Sequence, residues 1–276
     1  LHVKRHSFPT RRSSDLLDTL GAGAIGGIGS VVSDILNLQT QAGSFGVVGA
    51  LGSPLNSLAS NPGVSTTTLN LGQASALAGA YVTHTGNLSL SAPNMAADAP
   101  LWVHVSDLLT LPAVVINTGA GILDLYSGDS LSTAAALSSS ASVTLQAGTN
   151  LNIGHAVTGG TVSLTAADAV AGAGVIGGTA LTVSANDGIN LSGANMVLSA
   201  GLTNGGAGAT RDVVYASSVG AANTLGLSGS NSVTGGLFTV TESTGSISVA
   251  AGGVSTANGD ISLTASGLGE LLTVAG

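Results

Sequence analysis

A five-residue cassette returns along this chain at a constant interval. Val143-Thr144-Leu145-Gln146-Ala147, Val162-Ser163-Leu164-Thr165-Ala166 and Leu181-Thr182-Val183-Ser184-Ala185 end at positions 147, 166 and 185, so the step between copies is the same both times (166 − 147 = 185 − 166 = 19). Repetition at such a period signals stacked structural units. Each cassette alternates large apolar with small polar residues. In an extended chain this puts its two large side chains on one face, the pattern of a half-buried strand. Looser copies run from Leu88 to Ala92, Met196 to Ala200, Ile247 to Ala251 and Ile261 to Ala265, with end-to-end steps of 15 (185 to 200) and 14 (251 to 265).

The period chooses between ways of pairing these strands. Two parallel neighbours need a crossover of about a dozen residues, and a five-residue strand in a 19-residue repeat leaves 14. Stacking in register would place Val143, Val162 and Leu181 in one inward column and Leu145, Leu164 and Val183 in another. The predicted fold class is therefore all-β, a parallel β-helix (β-solenoid) with coils of about 19 residues. Four residues after Ala147 and Ala185 come short second strands, Leu151-Asn152-Ile153 and Ile189-Asn190-Leu191, so each coil should hold two or three strands.

Gly148-Thr149-Asn150, Gly159-Gly160-Thr161, Gly177-Gly178-Thr179, Asn186-Asp187-Gly188 and Asn258-Gly259-Asp260 supply corners, because these residue types tolerate positive φ or bond their own backbone. The rival architecture is an antiparallel β-sandwich, in which Gly148-Thr149-Asn150 would close a three-residue hairpin.

Composition fits the coil. Glycine is 42 of 276 residues, about twice the usual share, and charged residues are 7% where about 25% is typical. With 44% hydrophobic residues the chain has enough apolar surface to order itself. Aromatics are 3%, so small aliphatic columns must do the burying. There is no cysteine, which removes disulfides and thiolate chemistry together. No run of 18 apolar residues reads as a membrane span, so no membrane insertion is expected.

Residues 6 to 16, HSFPTRRSSDL, resemble a translated sequencing adapter, and residues 1–16 are set aside as an artefact. Residues 17–64 form an irregular Gly/Ala/Ser-rich segment, within which Val31 to Leu38 reads as a short helix or a strand. Residues 65–276 form the repeat array, less regular between 93 and 126 and loosened again around Leu202 to Ala222, where Arg211 and Tyr215 fall. The absence of an initiator Met and the strand-like ending at Gly276 suggest a fragment of a longer gene.

Four of the five basic residues, Lys4, Arg5, Arg11 and Arg12, lie in the set-aside stretch. Removing it leaves Arg211 against 12 acids (13 minus Asp15), a net charge of 1 − 12 = −11. Such a chain cannot neutralise phosphates, so no nucleic-acid partner is expected.

Motifs for catalysis or metal binding are missing. Asp107, Asp124, Asp129, Asp168, Asp187, Asp212 and Asp260 fall singly in the sequence, mostly in turn-forming contexts, whereas glycoside hydrolysis needs a carboxylate pair. His84, His104 and His155 share no short metal spacing and read as surface or corner residues. No Gly-x-Ser-x-Gly elbow and no phosphate-cradling Gly-x-x-x-x-Gly-Lys loop occurs. Gly259-Asp260-Ile261 echoes calcium-binding nonapeptide coils, but one carboxylate per site is a poor cage for a hard cation. No catalytic, cofactor-binding or metal residue is assigned, no cofactor is expected, and the chain is read as not an enzyme.

From about Gly86 to Gly276 the chain resembles the repeat stalks of large bacterial surface exoproteins, the filamentous-haemagglutinin-like proteins of two-partner secretion and the autotransporter passengers. Gly160-Thr161-Val162-Ser163-Leu164-Thr165-Ala166 and Gly259-Asp260-Ile261-Ser262-Leu263-Thr264-Ala265 carry the likeness. The resemblance implies a right-handed parallel β-helix, exported through an outer-membrane transporter to the cell surface or the extracellular space. There it would project or present a surface for adhesion or biofilm formation. The implied partners are glycans or proteins on host or neighbouring cells, with end-to-end self-association at exposed strand edges. A biofilm-matrix protein with cross-β assembly is the alternative, and a carbohydrate-active β-helix enzyme acting through Asp124 or Asp187 a second.

Overall fold

A computed structural model of the protein describes residues 15–19, 25, 33–40, 47–51, 54–59, 66–73, 75–206, 212–267 and 269–275. Among these residues there are strands and turns but no helix. Strand pairing is parallel throughout them. The protein is an all-β solenoid of about ten turns with about 21 residues per turn. The antiparallel sandwich is excluded. Gly148-Thr149-Asn150 turns a corner from Leu137–Ala147 into Leu151–Asn152, which pairs in parallel with Leu131 and Ser132 of the preceding coil and with Val170 and Ala171 of the next.

Each central coil has three faces. On the first face the predicted columns form as expected. Leu123, Val143, Val162, Leu181 and Ala200 are register partners in succession, and beside them run Leu125, Leu145, Leu164, Val183 and Leu202. All are at most 1% exposed.

The second face carries the predicted short strands, with Leu131, Leu151, Val170, Ile189, Val213 and Phe238 stacked inward. The third carries Ile116, Leu137, Val157 and Ile176. Three walls of Val, Leu and Ile meet along the axis, so the core is continuous without large rings. Burying such side chains is worth about 1.5–3 kcal/mol each relative to exposure.

The 19-residue step holds only from Val143 through Val162 and Leu181 to Ala200. Before it the step is 22 (Leu101 to Leu123) and 20 (Leu123 to Val143), and after it 27 (Ala200 to Leu227), then 22 (Leu225 to Ile247) and 25 (Ile247 to Leu272). Ala200 stacks on Leu181 and Asn204 on Ala185, which corrects the cassette read as Met196 to Ala200 by four residues.

Two other looser copies belong to other walls. Leu88–Leu90 pairs with Thr67–Leu71 and Leu109–Thr110, and Ile261–Ala265 pairs with Phe238–Glu242 on the second face. The step of 14 from Ala251 to Ala265 therefore crosses from one wall to the next within a coil. Alternation of apolar and polar residues is the same on every wall, so the pattern identifies a strand but not its face.

Residues 93–126 are more regular than the sequence suggests. Leu101–Val105 and Leu123–Ser127 pair over five residues each. Tyr215 is a core residue at 1% exposure, in Val213–Ser217, and Arg211 lies outside the described residues. Ile35–Thr40 is a strand paired in parallel with Asp15–Thr19 and Thr67–Leu71, while Val31 and Val32 lie outside the described residues, as do residues 1–14.

Two corner glycines show different physics. Gly188 in Asn186-Asp187-Gly188 adopts φ 114°, a region open to glycine, and Asn258 in the last predicted corner adopts φ 62°. Gly148 has no such φ. A Cβ there would run into the carbonyl of Gly128 in the preceding coil, so close stacking of backbones is what requires glycine.

Candidate functional site: corner ladders and an aromatic patch

The inner edge of the first face ends in a column whose chemistry changes along the rod. His84, Val105, Ser127 and Ala147 are successive register partners, Ala166 follows Ala147, and beyond Ala185 come Asn204, Asn231 and Thr256. After Ala147, Ala166 and Ala185 the next strand begins four residues on, at Leu151, Val170 and Ile189. After Asn204 it begins nine on, at Val213, and after Asn231 seven on, at Phe238.

The asparagines satisfy backbone groups at the corners, Asn204 one in the tight turn before it and Asn231 two in the longer turn that it opens. Asn204 Oδ1 accepts from Gly188 N–H, and its Nδ2 donates to Asn231 Oδ1 at 3.1 Å. Asn231 Oδ1 also accepts from Val233 N–H, and its Nδ2 donates to the Leu237 carbonyl at 2.8 Å. Buried backbone groups need such partners.

His84, read from sequence as a surface or corner residue, occupies this inward column and is only 3% exposed. Burial pushes its imidazole below the ordinary pKa, against the opposing effects of a hydrogen bond at the Asn87 backbone and the charge of Asp107. His155 is exposed in a corner, its backbone N–H donating to Thr133 Oγ1.

A second buried polar seam closes the far edge of the second face, through Asn195, Ser217 and Glu242. Glu242 is 0% exposed yet well supplied with donors. The N–H groups of Thr244 and Gly245 reach Oε1 at 2.8 Å, and Val219 N–H lies 3.2 and 3.3 Å from the two oxygens. Burial alone would raise its pKa, but hydrogen bonds from Ser217 and from these amides outweigh that and hold the carboxyl below its ordinary range.

Tyr215, two residues before Ser217 and stacked between Leu191 and Val240 in the neighbouring inward column, buries a hydroxyl that has no hydrogen-bond partner among the described residues. Burial raises its pKa, with Ser217 opposing and the charge of Glu242 adding. Glu242 cannot be singled out in the sequence, because nothing in Thr241-Glu242-Ser243 distinguishes an inward from an outward strand end.

The aspartates that look scattered in the sequence are partly gathered. Asp129 N–H donates to the Asp107 carbonyl, Thr149 N–H to Asp129, Asp168 N–H to Thr149 and Asp187 N–H to Asp168, so five corner turns stack with four carboxylates along one edge. Asp212 Oδ1 accepts from Leu237 N–H at another corner, and Asp260 accepts from Phe238 N–H through its backbone carbonyl. Asp124 and Asp187, the two positions weighed for catalysis, lie three coils apart, the first on the outward side of a wall and the second in a corner. Among the described residues no group of three His, Cys, Asp or Glu side chains is placed to hold a metal ion.

The outward side of the first face carries the densest chemistry. One outward row reads Tyr81, Trp102, Asp124, Thr144, Ser163 and Thr182, and the next Thr83, His104, Tyr126, Gln146, Thr165 and Ser184. Trp102 and His104, two apart on one strand, stack with centroids 3.6 Å apart at 19°, and His104 meets Tyr126 at 5.4 Å and 45°. The Nε2–H of His104 donates to Asp124 Oδ1 at 2.9 Å, with the two side chains 25% and 22% exposed. An ionised carboxylate can only accept, which assigns this imidazole tautomer. Trp102, His104, Asp124 and Tyr126 stand apart in the sequence, and register brings them together.

These walls, corners and stacked rows define a parallel β-solenoid repeat protein. Compared with protein-family models, curated proteins and solved structures, the chain matches none of them.

Proposed function

We propose that the chain is a stalk segment of an extracellular bacterial adhesin or exoprotein, resembling filamentous-haemagglutinin-like and autotransporter passengers, which projects or presents a surface at the cell exterior. The observation that carries this reading is the uninterrupted stack of inward columns from Leu101 to Phe238, which makes a rod rather than a cleft. About ten turns at the ~4.8 Å strand spacing give a length of roughly 50 Å. A cysteine-free, glycine-rich chain suits passage through an outer-membrane transporter before folding.

The test is paired. Small-angle scattering of the protein should return an elongated particle, and antibodies against it should label intact cells of the source organism. A compact particle, or label only after lysis, would overturn the reading.

A biofilm-matrix role by cross-β self-association is a second reading, favoured by the low share of charged residues, 7%, and by the repeated parallel β segments. Concentration-dependent fibres with a cross-β diffraction pattern would select it over the soluble rod.

A further inference from the structure

We infer that Tyr81, Trp102, His104, Asp124 and Tyr126 form a binding platform for neutral glycans on the outward side of the first face. The inference rests on the reading of the rod as a presenting surface and adds its ligand class. The chain has one tryptophan and three tyrosines. Three of these four rings stand in adjacent outward positions of three consecutive coils.

In the coils that follow, the same two rows hold Thr144, Ser163, Thr182, Gln146, Thr165 and Ser184, so the solenoid does not need rings there. Beneath the patch the core is already complete, with Ala80, Val82, Leu101, Val103, Leu123 and Leu125 all at 0% exposure.

The chemistry of the patch selects its ligand. A pyranose offers an apolar C–H face and a rim of hydroxyl donors. The patch offers amphipathic rings and a carboxylate whose Oδ1 is tied to His104, while Oδ2 has no protein hydrogen-bond partner among the described residues. His104 stacks on one side of Trp102 and bonds Asp124, so the rings and the acceptor are held in place before a ligand arrives. No Lys or Arg occurs among the described residues. A sulfated or carboxylated glycan would therefore meet carboxylates and no fixed cation, which favours a neutral sugar.

Trp102 is the chain's only tryptophan, so intrinsic fluorescence of the whole protein reads this site alone. The protein would be titrated with cellohexaose, maltohexaose and the N-acetylglucosamine hexamer, and in parallel with a sulfated heparin-type oligosaccharide and with hexalysine. At least one neutral hexamer should change the emission saturably, Asp124→Asn should weaken that binding about tenfold, and the sulfated oligosaccharide should leave the signal unchanged.

Trp102→Thr, which installs the residue type used elsewhere in the rows, should keep the β-sheet circular dichroism and abolish binding by calorimetry. Silence with all three neutral hexamers overturns the inference, as does sulfated sugar binding as tightly as neutral, or an unweakened Asp124→Asn variant. A response to hexalysine alone also overturns it, making the patch a cation site. None of these outcomes alters the scattering or cell-labelling results, so failure of the platform and failure of the stalk reading are separable.

Discussion

The coils between Leu137 and Ala185 and those between Asn204 and Val274 solve one problem in two ways. In the first group the first-face columns advance by a step of 19 (Val143 to Val162 to Leu181), the corner is alanine, and the chain closes with little but backbone. In the second the step widens to between 22 (Leu225 to Ile247) and 27 (Ala200 to Leu227), and the corners hold Asn204, Asn231 and Glu242, all at 0% exposure. The first-face column through Ala200 continues as Leu227 and Val249, whereas the one through Leu202 passes to Gly229.

The difference teaches that a solenoid absorbs extra length at its corners and, where the register shifts from Leu227↔Val249 to Gly229↔Val254, inside a wall as well. Every residue added to a corner brings a backbone donor and acceptor, and buried ones must be paired. Asparagine offers both donor and acceptor from one short side chain, and a carboxylate accepts several amides at once.

The corner side chains of the longer coils should therefore be worth more than their neighbours. The largest effect is expected at Glu242. Glu242→Ala leaves the amides of Val219, Thr244 and Gly245 without their acceptor and should lower stability by about 3 kcal/mol in urea denaturation of the whole chain. An effect below about 0.5 kcal/mol would break the comparison.

The pH dependence has a definite sign. The folded-state pKa of Glu242 is depressed, so its contribution is present above the ordinary glutamate pKa and is lost as pH falls through the lower folded value. The melting-temperature gap between the parent and Glu242→Gln should therefore narrow on acidification below about pH 4.3.

A smaller loss, about 1–2 kcal/mol, is expected for Asn231→Ala, which unpairs the Leu237 carbonyl, Val233 N–H and Asn204 Nδ2 together. Ala166→Ser at the tight corner serves as the contrast. If the serine variant is the more damaging in the same assay, the corners of the longer coils are not special.

The smallest effect carries the opposite sign. Tyr215→Phe removes a buried hydroxyl that has no hydrogen-bond partner among the described residues, so it should be neutral or stabilising by up to about 1 kcal/mol. A clear loss in melting temperature would show that the hydroxyl is bonded and that the seam with Ser217 and Glu242 is fully paired.

Much of the wall is legible without the structure. Val143, Val162 and Leu181 announce a column because their spacing is constant and their neighbours alternate in polarity. The corners are legible in kind, since Asn186-Asp187-Gly188 and Asn258-Gly259-Asp260 can hardly be anything else. The register of Met196 to Ala200 is not, because an alternating segment matches its neighbour equally well after a slip of four residues. The aromatic patch is not legible as a unit either. Tyr81, Trp102 and Asp124 follow one another at steps of 21 (81 to 102) and 22 (102 to 124), and no local pattern links positions that only stacking makes adjacent.

What the sequence determined by itself is the type of object: parallel strands of about five residues, small aliphatic columns and glycine-rich turns, repeated until they bury one another. Local rules suffice there, because side-chain alternation and turn chemistry act over a few residues. The tertiary structure alone decided which wall each strand joins, how much chain each coil spends on its corners, and therefore which side chains meet across coils. Those contacts join residues a full turn apart, where the sequence separation varies from 19 (Val143 to Val162) to 33 (Leu36 to Leu69) and only the packed core sets it.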